Sequence, residues 1–273
     1  MQGNLLFVGC SHTNGFWGGR DKDGGDLHKQ VGDTNNYAEI YANELADDKC
    51  YAYSSAGATN NKYPRWIKTV TNKHPVSAIF VQSTYWDRWV MAADPNQKHQ
   101  ELSLDFFTKV IKDTDKFTFY DDFNVDKDWE VVEWFEKIKW DSVGMYTEGC
   151  PEMNGGYDWV GFDTNYMHMK FHTEIGTHLK TEEYLKDIAL IDAISDVPVY
   201  VWRINDKVQY PTKFDVYKEL DNVKVIDTPV TVWLLENLNI DINDMMLDEE
   251  HYNEDAHRLI AQHFIPEVLN GTA

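Results

Sequence analysis

Short apolar runs bounded by turn residues alternate along this chain with amphipathic stretches. The apolar runs predict five strands, at residues 5–8, 50–53, 76–82, 197–203 and 223–226. Apolar residues recurring at helical spacing predict helices at residues 35–46, 64–72, about 97–112, 181–194 and 256–269. Because strands that alternate with helices favour a parallel sheet, the pattern predicts an α/β fold.

The long interval between the third and fourth predicted strands breaks this alternation. Residues 117–178 are dense in Trp, Tyr, Asp and Gly. We expect them to form an insertion or lid within one domain, residues 1–273, rather than a second domain. Their rings suit either a platform for stacking sugars or a small core of the lid itself. The helical pattern resumes at Thr181, a candidate N-cap.

The charge balance excludes several classes of partner. The chain has 46 Asp and Glu against 25 Lys and Arg, a formal net charge of −21. Such a surface repels phosphate backbones and anionic lipids, so we expect neither a nucleic-acid nor a membrane partner. The first residues lack the segments of a signal peptide and the three cysteines form no disulfide pattern. These features predict a cytoplasmic location.

The first candidate motif follows the first predicted strand and reads Gly9-Cys10-Ser11. The carboxyl end of a strand is where open α/β sheets bind their ligands. A serine hydroxyl there would project into the crevice, and nearby backbone N–H groups could face an oxyanion. The alternative is a polar loop that merely caps the next helix.

The second candidate motif lies in an acidic segment just before the last predicted helix. Asp248 stands three residues ahead of His251. A carboxylate so placed can accept from Nδ1 of the imidazole, which leaves Nε2 free to take a proton from a hydroxyl. In a chain this acidic, an acidic loop that merely contains a histidine is the alternative. His257, at the start of the helix, is expected to pack or to cap.

Together the two motifs resemble those of the SGNH/GDSL hydrolases, whose first block reads Gly-Asp-Ser and whose last reads Asp-x-x-His. The chain is similar to a divergent, phage-like member, with Cys10 in place of the aspartate. The resemblance implies a flavodoxin-like three-layer α/β/α sandwich whose five-stranded parallel sheet has the order 2-1-3-4-5. It also implies a cofactor-independent and metal-independent esterase with a serine catalytic triad. Ser11 would be the nucleophile, His251 the general base and Asp248 the residue that orients the imidazole.

The oxyanion hole of this family uses the serine N–H, a glycine N–H and an asparagine from a Gly-x-Asn-Asp block. Ser11 and Gly57 match the first two donors. The Gly-x-Asn-Asp block is absent after the third predicted strand. Thr84, Ser83 and Asn60 are the candidate replacements for its asparagine.

Three functions therefore remain open. The first is hydrolysis of an acetylated carbohydrate or a short-chain ester, with residues 117–178 covering the Ser11 end of the sheet and setting substrate choice. The second is a catalytically silent SGNH-like module that binds a glycan or a protein. The third is a thiol enzyme using Cys10. Successive residues leaving a strand point in opposite directions, so only one of Cys10 and Ser11 can face His251.

Two further patterns predict no additional site. His168 and His172 lie four residues apart with His178 and Cys150 nearby, but no further ligand has a fixed spacing. We therefore expect no metal. The glycines of residues 15–25 lack the order of a phosphate-binding loop, which makes a nucleotide site unexpected.

Overall fold

The computed structural model of the chain describes residues 4–14, 17–20, 26–29, 36–55, 58, 60–84, 89–90, 108–122, 145–146, 176–205, 215–245 and 251–271. The strands in these ranges are β1 (Leu5–Gly9), β2 (Trp17–Arg20), β3 (Asp26–Lys29), β4 (Cys50–Ser54), β5 (Ala78–Gln82), β6 (Trp89–Val90), β7 (Thr108–Asp113), β8 (Phe117–Asp122), β9 (Met145–Tyr146), β10 (Val199–Trp202) and β11 (Val223–Val225). β2 pairs with β3 and β6 pairs with β9 in two small antiparallel sheets.

The main sheet has seven strands in the order β11-β10-β5-β1-β4-β8-β7. Every neighbouring pair is parallel except β7 and β8. The five predicted strands correspond to β1, β4, β5, β10 and β11, and they lie side by side in the order 2-1-3-4-5. The expected number of five strands is wrong, because β8 and β7 extend the sheet beyond β4.

The two added strands correct the sequence analysis at the edge of the sheet. Residues 108–112 were expected to end a helix but lie in β7, which pairs with β8. β8 falls within the segment expected to be an insertion, yet Phe117 and Phe119 bury their side chains in the core. The edge of β4 provides the pairing partner, which local periodicity does not reveal. Most of residues 123–178 lies outside the described residues.

The helices are α1 (Ser11–Asn14), α2 (Tyr37–Glu44), α3 (Tyr63–Thr71), α4 (Gly176–Ile194), α5 (Val230–Leu238), α6 (Glu254–Leu259) and α7 (Ile265–Asn270). A π-helical turn, Ile260–Phe264, joins α6 to α7, and 3-10 turns occur at Asn60–Lys62, Asp215–Glu219 and Ile242–Met245. Asn36 and Asn253 cap α2 and α6 through their side chains. Thr181 is not an N-cap, because α4 begins five residues earlier at Gly176.

Helices cover both faces of the sheet. Leu5 and Phe7 point to one face and pack with residues of α2, α5, α6 and α7. Leu6 and Val8 point to the other face and pack with residues of α3 and α4. This alternation follows from the period of two along a strand, and the arrangement is compatible with the predicted three layers. None of the helices in the described part of the chain is both long and apolar enough to span a bilayer.

Candidate active site

The topology of the sheet creates a crevice at the carboxyl end of β1. β1 lies between β4 and β5. The chain continues from β1 to β4 on one side, and from β5 to β10 on the other. Open α/β sheets bind ligands at such a switch point. α1 begins here, at Ser11, two residues after β1 ends.

Ser11 and His251 meet at this crevice. The Oγ atom of Ser11 lies 3.0 Å from Nε2 of His251, although the two residues are 240 positions apart in the chain. Both side chains are half-buried. A histidine at this distance can accept the hydroxyl proton, which is what makes a serine nucleophilic. The structure therefore places the predicted nucleophile and the predicted base in contact.

The backbone around His251 is held by the start of α6. The side chain of Asn253 accepts from the N–H of Ala256 at 3.0 Å, and the N–H of Asn253 donates to the carbonyl of Met245 at 2.8 Å. The imidazole of His12 lies beside that of His251, with 5.1 Å between ring centroids. The buried ring of Tyr252 lies 5.7 Å from that of His12. These contacts give His251 an ordered setting next to Ser11.

Cys10 lies beside Ser11 but is buried. Its thiol is buried in the core formed with α3 and α4. Nε2 of Gln82 donates to Sγ at 3.3 Å, and Sγ lies 4.0 Å from Oγ of Ser11. The geometry thus favours Ser11 over Cys10 as the partner of His251.

The three candidate replacements for the missing asparagine lie close together: Ser83 and Thr84 follow β5, and Asn60 contacts Thr84 from the 3-10 turn before α3. Asn60 accepts from the N–H of Thr84 at 3.1 Å and donates from Nδ2 to its carbonyl at 3.2 Å. Ser83 turns toward α4, where its hydroxyl lies 3.0 Å from that of Tyr184. The Thr84 hydroxyl is buried and has no hydrogen-bond partner among the described residues. Asn60 therefore holds the backbone of residue 84, while the Thr84 hydroxyl stays uncommitted with respect to the described part of the chain.

Several predicted positions have no described structure. Asp248 and Gly57 lie outside the described residues, as do Cys150, His168 and His172. Within the part of the chain that is described, no group of three or more His, Cys, Asp and Glu side chains could hold a metal ion.

Sequence reasoning missed a buried hydrogen-bond network directly behind Ser11. Thr13 Oγ1 donates to Oε1 of Gln82 at 2.7 Å and also bonds to the hydroxyl of Tyr37. Since Thr13 has one hydroxyl proton, Tyr37 must be the donor in its bond to Thr13. Burial raises the pKa of Tyr37, which keeps that proton in place. The partners are 24 and 69 residues from Thr13, so no local signal connects them.

His257 packs inside the protein, in agreement with the sequence analysis. It is fully buried, and its ring stacks on that of Tyr37 with 5.7 Å between centroids. Burial, the larger cause, and the neighbouring His251 together lower the pKa of His257 to about 3. His257 is therefore neutral at physiological pH.

No protein-family model and no curated protein matches this chain. The resemblance to the SGNH hydrolases remains a prediction that rests on the motifs.

Proposed function

We propose that this chain is an SGNH-type serine esterase or deacylase that acts through an acyl-enzyme intermediate. The observation that carries the proposal is the 3.0 Å contact between Ser11 Oγ and His251 Nε2 at the carboxyl end of β1. The substrate class is an acetylated carbohydrate or a short-chain carboxylic ester. No metal or organic cofactor takes part in the proposed reaction.

The first half of the reaction forms the acyl-enzyme. Ser11 Oγ attacks the ester carbonyl carbon while His251 Nε2 takes the hydroxyl proton. The tetrahedral intermediate then collapses, the carbon–oxygen bond to the alcohol breaks, and the protonated His251 gives its proton to the departing alcohol. Asp248, three residues before His251, is proposed to orient the imidazole and to stabilise its charged form.

The second half releases the acid. A water molecule attacks the acyl carbon while His251 Nε2 takes a proton from it. Collapse of the second tetrahedral intermediate breaks the bond to Ser11, and its oxygen recovers the proton from His251. The enzyme returns to its starting state, and the sum of both halves is ester plus water giving acid plus alcohol.

The developing oxyanion needs hydrogen-bond donors. We assign the backbone N–H groups of Ser11 and Gly57 to this role, with Thr84 as the third donor. The buried Thr84 hydroxyl has no partner among the described residues, and an oxyanion would supply the acceptor it lacks. Asn60 supports Thr84 by binding its backbone on both sides. Loss of one such donor lowers turnover by about 10²–10³ in enzymes of this kind.

The test is covalent labelling with a fluorophosphonate probe, followed by mass spectrometry of the modified peptide. We expect the label on Ser11 and none on the Ser11→Ala variant. Ser195→Ala is a control for the substitution itself, because Ser195 is buried after α4, before the amino end of β10 and away from the proposed base. This control should label like the wild type. Hydrolysis of p-nitrophenyl esters of increasing acyl length, alongside acetylated sugars, then identifies the substrate.

The catalytically silent binding module is the second candidate, and the state of Asn60 favours it. Asn60 Oδ1 and Nδ2 both bond to the backbone of Thr84, so only one amide hydrogen of Asn60 is left to play the part of the family's asparagine. A folded chain that is neither labelled at Ser11 nor active on any ester would support this module and overturn the hydrolase.

The thiol enzyme is tested by the same probes. Inactivation by iodoacetamide without labelling by fluorophosphonate would move the reaction to Cys10. Because that thiol is buried, we expect the reverse pattern, and the Cys10→Ala variant should keep substantial activity.

A further inference from the structure

The helix that carries Ser11 cannot hold its own position. α1 has four residues, about one turn. Isolated helices shorter than about 12–15 residues are marginal in water, because nucleation fixes several residues for a single hydrogen bond. The position of Ser11 relative to His251 must therefore come from tertiary contacts made by the rest of the turn.

Thr13 makes those contacts. Its side chain is fully buried, and its hydroxyl bonds to Tyr37 on α2 and to Gln82 at the end of β5. Gln82 then bonds from Nε2 to Cys10, just before α1. The bonds run in one direction, from Tyr37 to Thr13 to Gln82 to Cys10, and every link is buried. A polar network of this kind is rigid when all of its members are paired.

Gly9, the last residue of β1, leaves room for this network because it has no side chain. A Cβ atom at Gly9 would lie 2.0 Å from Thr13 Oγ1 and 2.7 Å from Gln82 Oε1. Both distances are shorter than real Cβ contacts, so only glycine lets the turn of α1 close onto β5. The glycine that precedes the nucleophile thus has a packing role in this chain.

Tyr37 also contacts the helix that follows His251, the proposed base. Its ring stacks on His257, which lies on α6 six residues after His251. It further packs edge-on against Trp202 at 5.3 Å and Phe7 at 6.0 Å, which fixes the ring in the core. One side chain on α2 therefore contacts both the helix of the nucleophile and the helix that follows the base.

We propose that Thr13, Gln82 and Tyr37 are positioning residues that set the distance between Ser11 and His251. This inference rests on the proposed hydrolase function for its kinetic consequences, but its structural consequence is independent of activity. Misplacement of reacting groups by about 1 Å can lower a rate by about 10²-fold. Loss of the network should therefore slow the reaction of Ser11.

The experiment compares Thr13→Val, which keeps the shape but removes the hydroxyl, with Thr13→Ser, which keeps the hydroxyl. Thr69→Val is the control, since Thr69 is also buried and its hydroxyl bonds only within its own helix α3, to the carbonyl of Arg65, whereas Thr13 makes two bonds to other elements. Tyr37→Phe removes the hydroxyl that donates to Thr13 and keeps the stacked ring. This variant replaces Thr13→Val in the comparison if Thr13→Val does not fold. The rate constant for fluorophosphonate labelling of Ser11 is measured together with kcat and KM for p-nitrophenyl acetate.

We expect Thr13→Val to lower the labelling rate and kcat by about 10-fold to 100-fold, with KM changed less than about twofold. Tyr37→Phe should lower both rates by about threefold to tenfold. Thr13→Ser should stay within about threefold of the wild type, and Thr69→Val should match it. A general loss of stability would instead affect Thr69→Val as well, and that result would overturn the positioning role.

A crystal structure of Thr13→Val separates this proposal from the proposed function. We expect the distance from Ser11 Oγ to His251 Nε2 to exceed hydrogen-bond range in the variant. An unchanged distance, or unchanged labelling in a folded variant, overturns the positioning role and leaves the hydrolase standing. A wild type that is never labelled, with a distance that still lengthens in Thr13→Val, overturns the hydrolase and leaves the positioning role standing.

Discussion

Burial of His257 makes the fold sensitive to acid, and replacing this residue should remove that sensitivity. The imidazole is fully buried and stacks on Tyr37. Two substitutions, His257→Phe and His257→Leu, remove the titrating group with side chains of different size. Their packing effects will differ, but neither can take up a proton, so any effect shared by both variants reports on the titration.

The expected magnitude follows from the two pKa values. Burial lowers the pKa of His257 from its ordinary value of 6.5 to about 3. Between these values the unfolded chain binds a proton that the folded chain does not, so the free energy of unfolding decreases as the pH falls. The decrease approaches about 1.4 kcal/mol per pH unit below pH 6.5 and amounts to about 2 kcal/mol between pH 7.5 and pH 5. Domains are stable by only about 5–15 kcal/mol in total, so this is a large share.

The assay is urea unfolding of the wild type and both variants at pH 7.5 and pH 5, with linear extrapolation to water. Carboxylates titrate in all three proteins, so their contribution cancels in the comparison. The wild type should lose about 2 kcal/mol more than either variant between the two pH values. If all three lose the same free energy, then His257 is protonated in the folded state and the reasoning is refuted.

The remaining predictions concern the site. Ser11→Ala and His251→Ala should each abolish ester hydrolysis, because either loss removes the covalent route. The double variant should lower the hydrolysis rate little more than either single change. Asp248→Asn should retain a small residual activity in the same assay, and full activity in it would remove Asp248 from the triad. Gly9→Ala should lower stability by about 1–3 kcal/mol or more through overpacking against Thr13. Its thermal unfolding midpoint measures this, and an unchanged midpoint would contradict the packing role of Gly9.

The sequence by itself determined the local elements and the candidate nucleophile and base. Residues 5–8 are apolar on both faces because β1 is buried between two helical layers, and such a run is visible without any partner. The Gly9-Cys10-Ser11 turn and the Asp-x-x-His spacing are likewise local patterns. Local patterns therefore sufficed for the five central strands, most helices, and the prediction of Ser11 and His251.

Only the tertiary structure decided how distant segments meet. The sequence of β7 predicts the end of a helix, but the segment forms a strand because it pairs with β8. β8 in turn pairs with the edge of β4. Thr13, Tyr37 and Gln82 look like ordinary polar and aromatic residues until the sheet closes around them. The physical reason is the same in each case. Periodicity encodes which face of an element is buried, whereas the partner on that face is chosen by the packing of the whole chain.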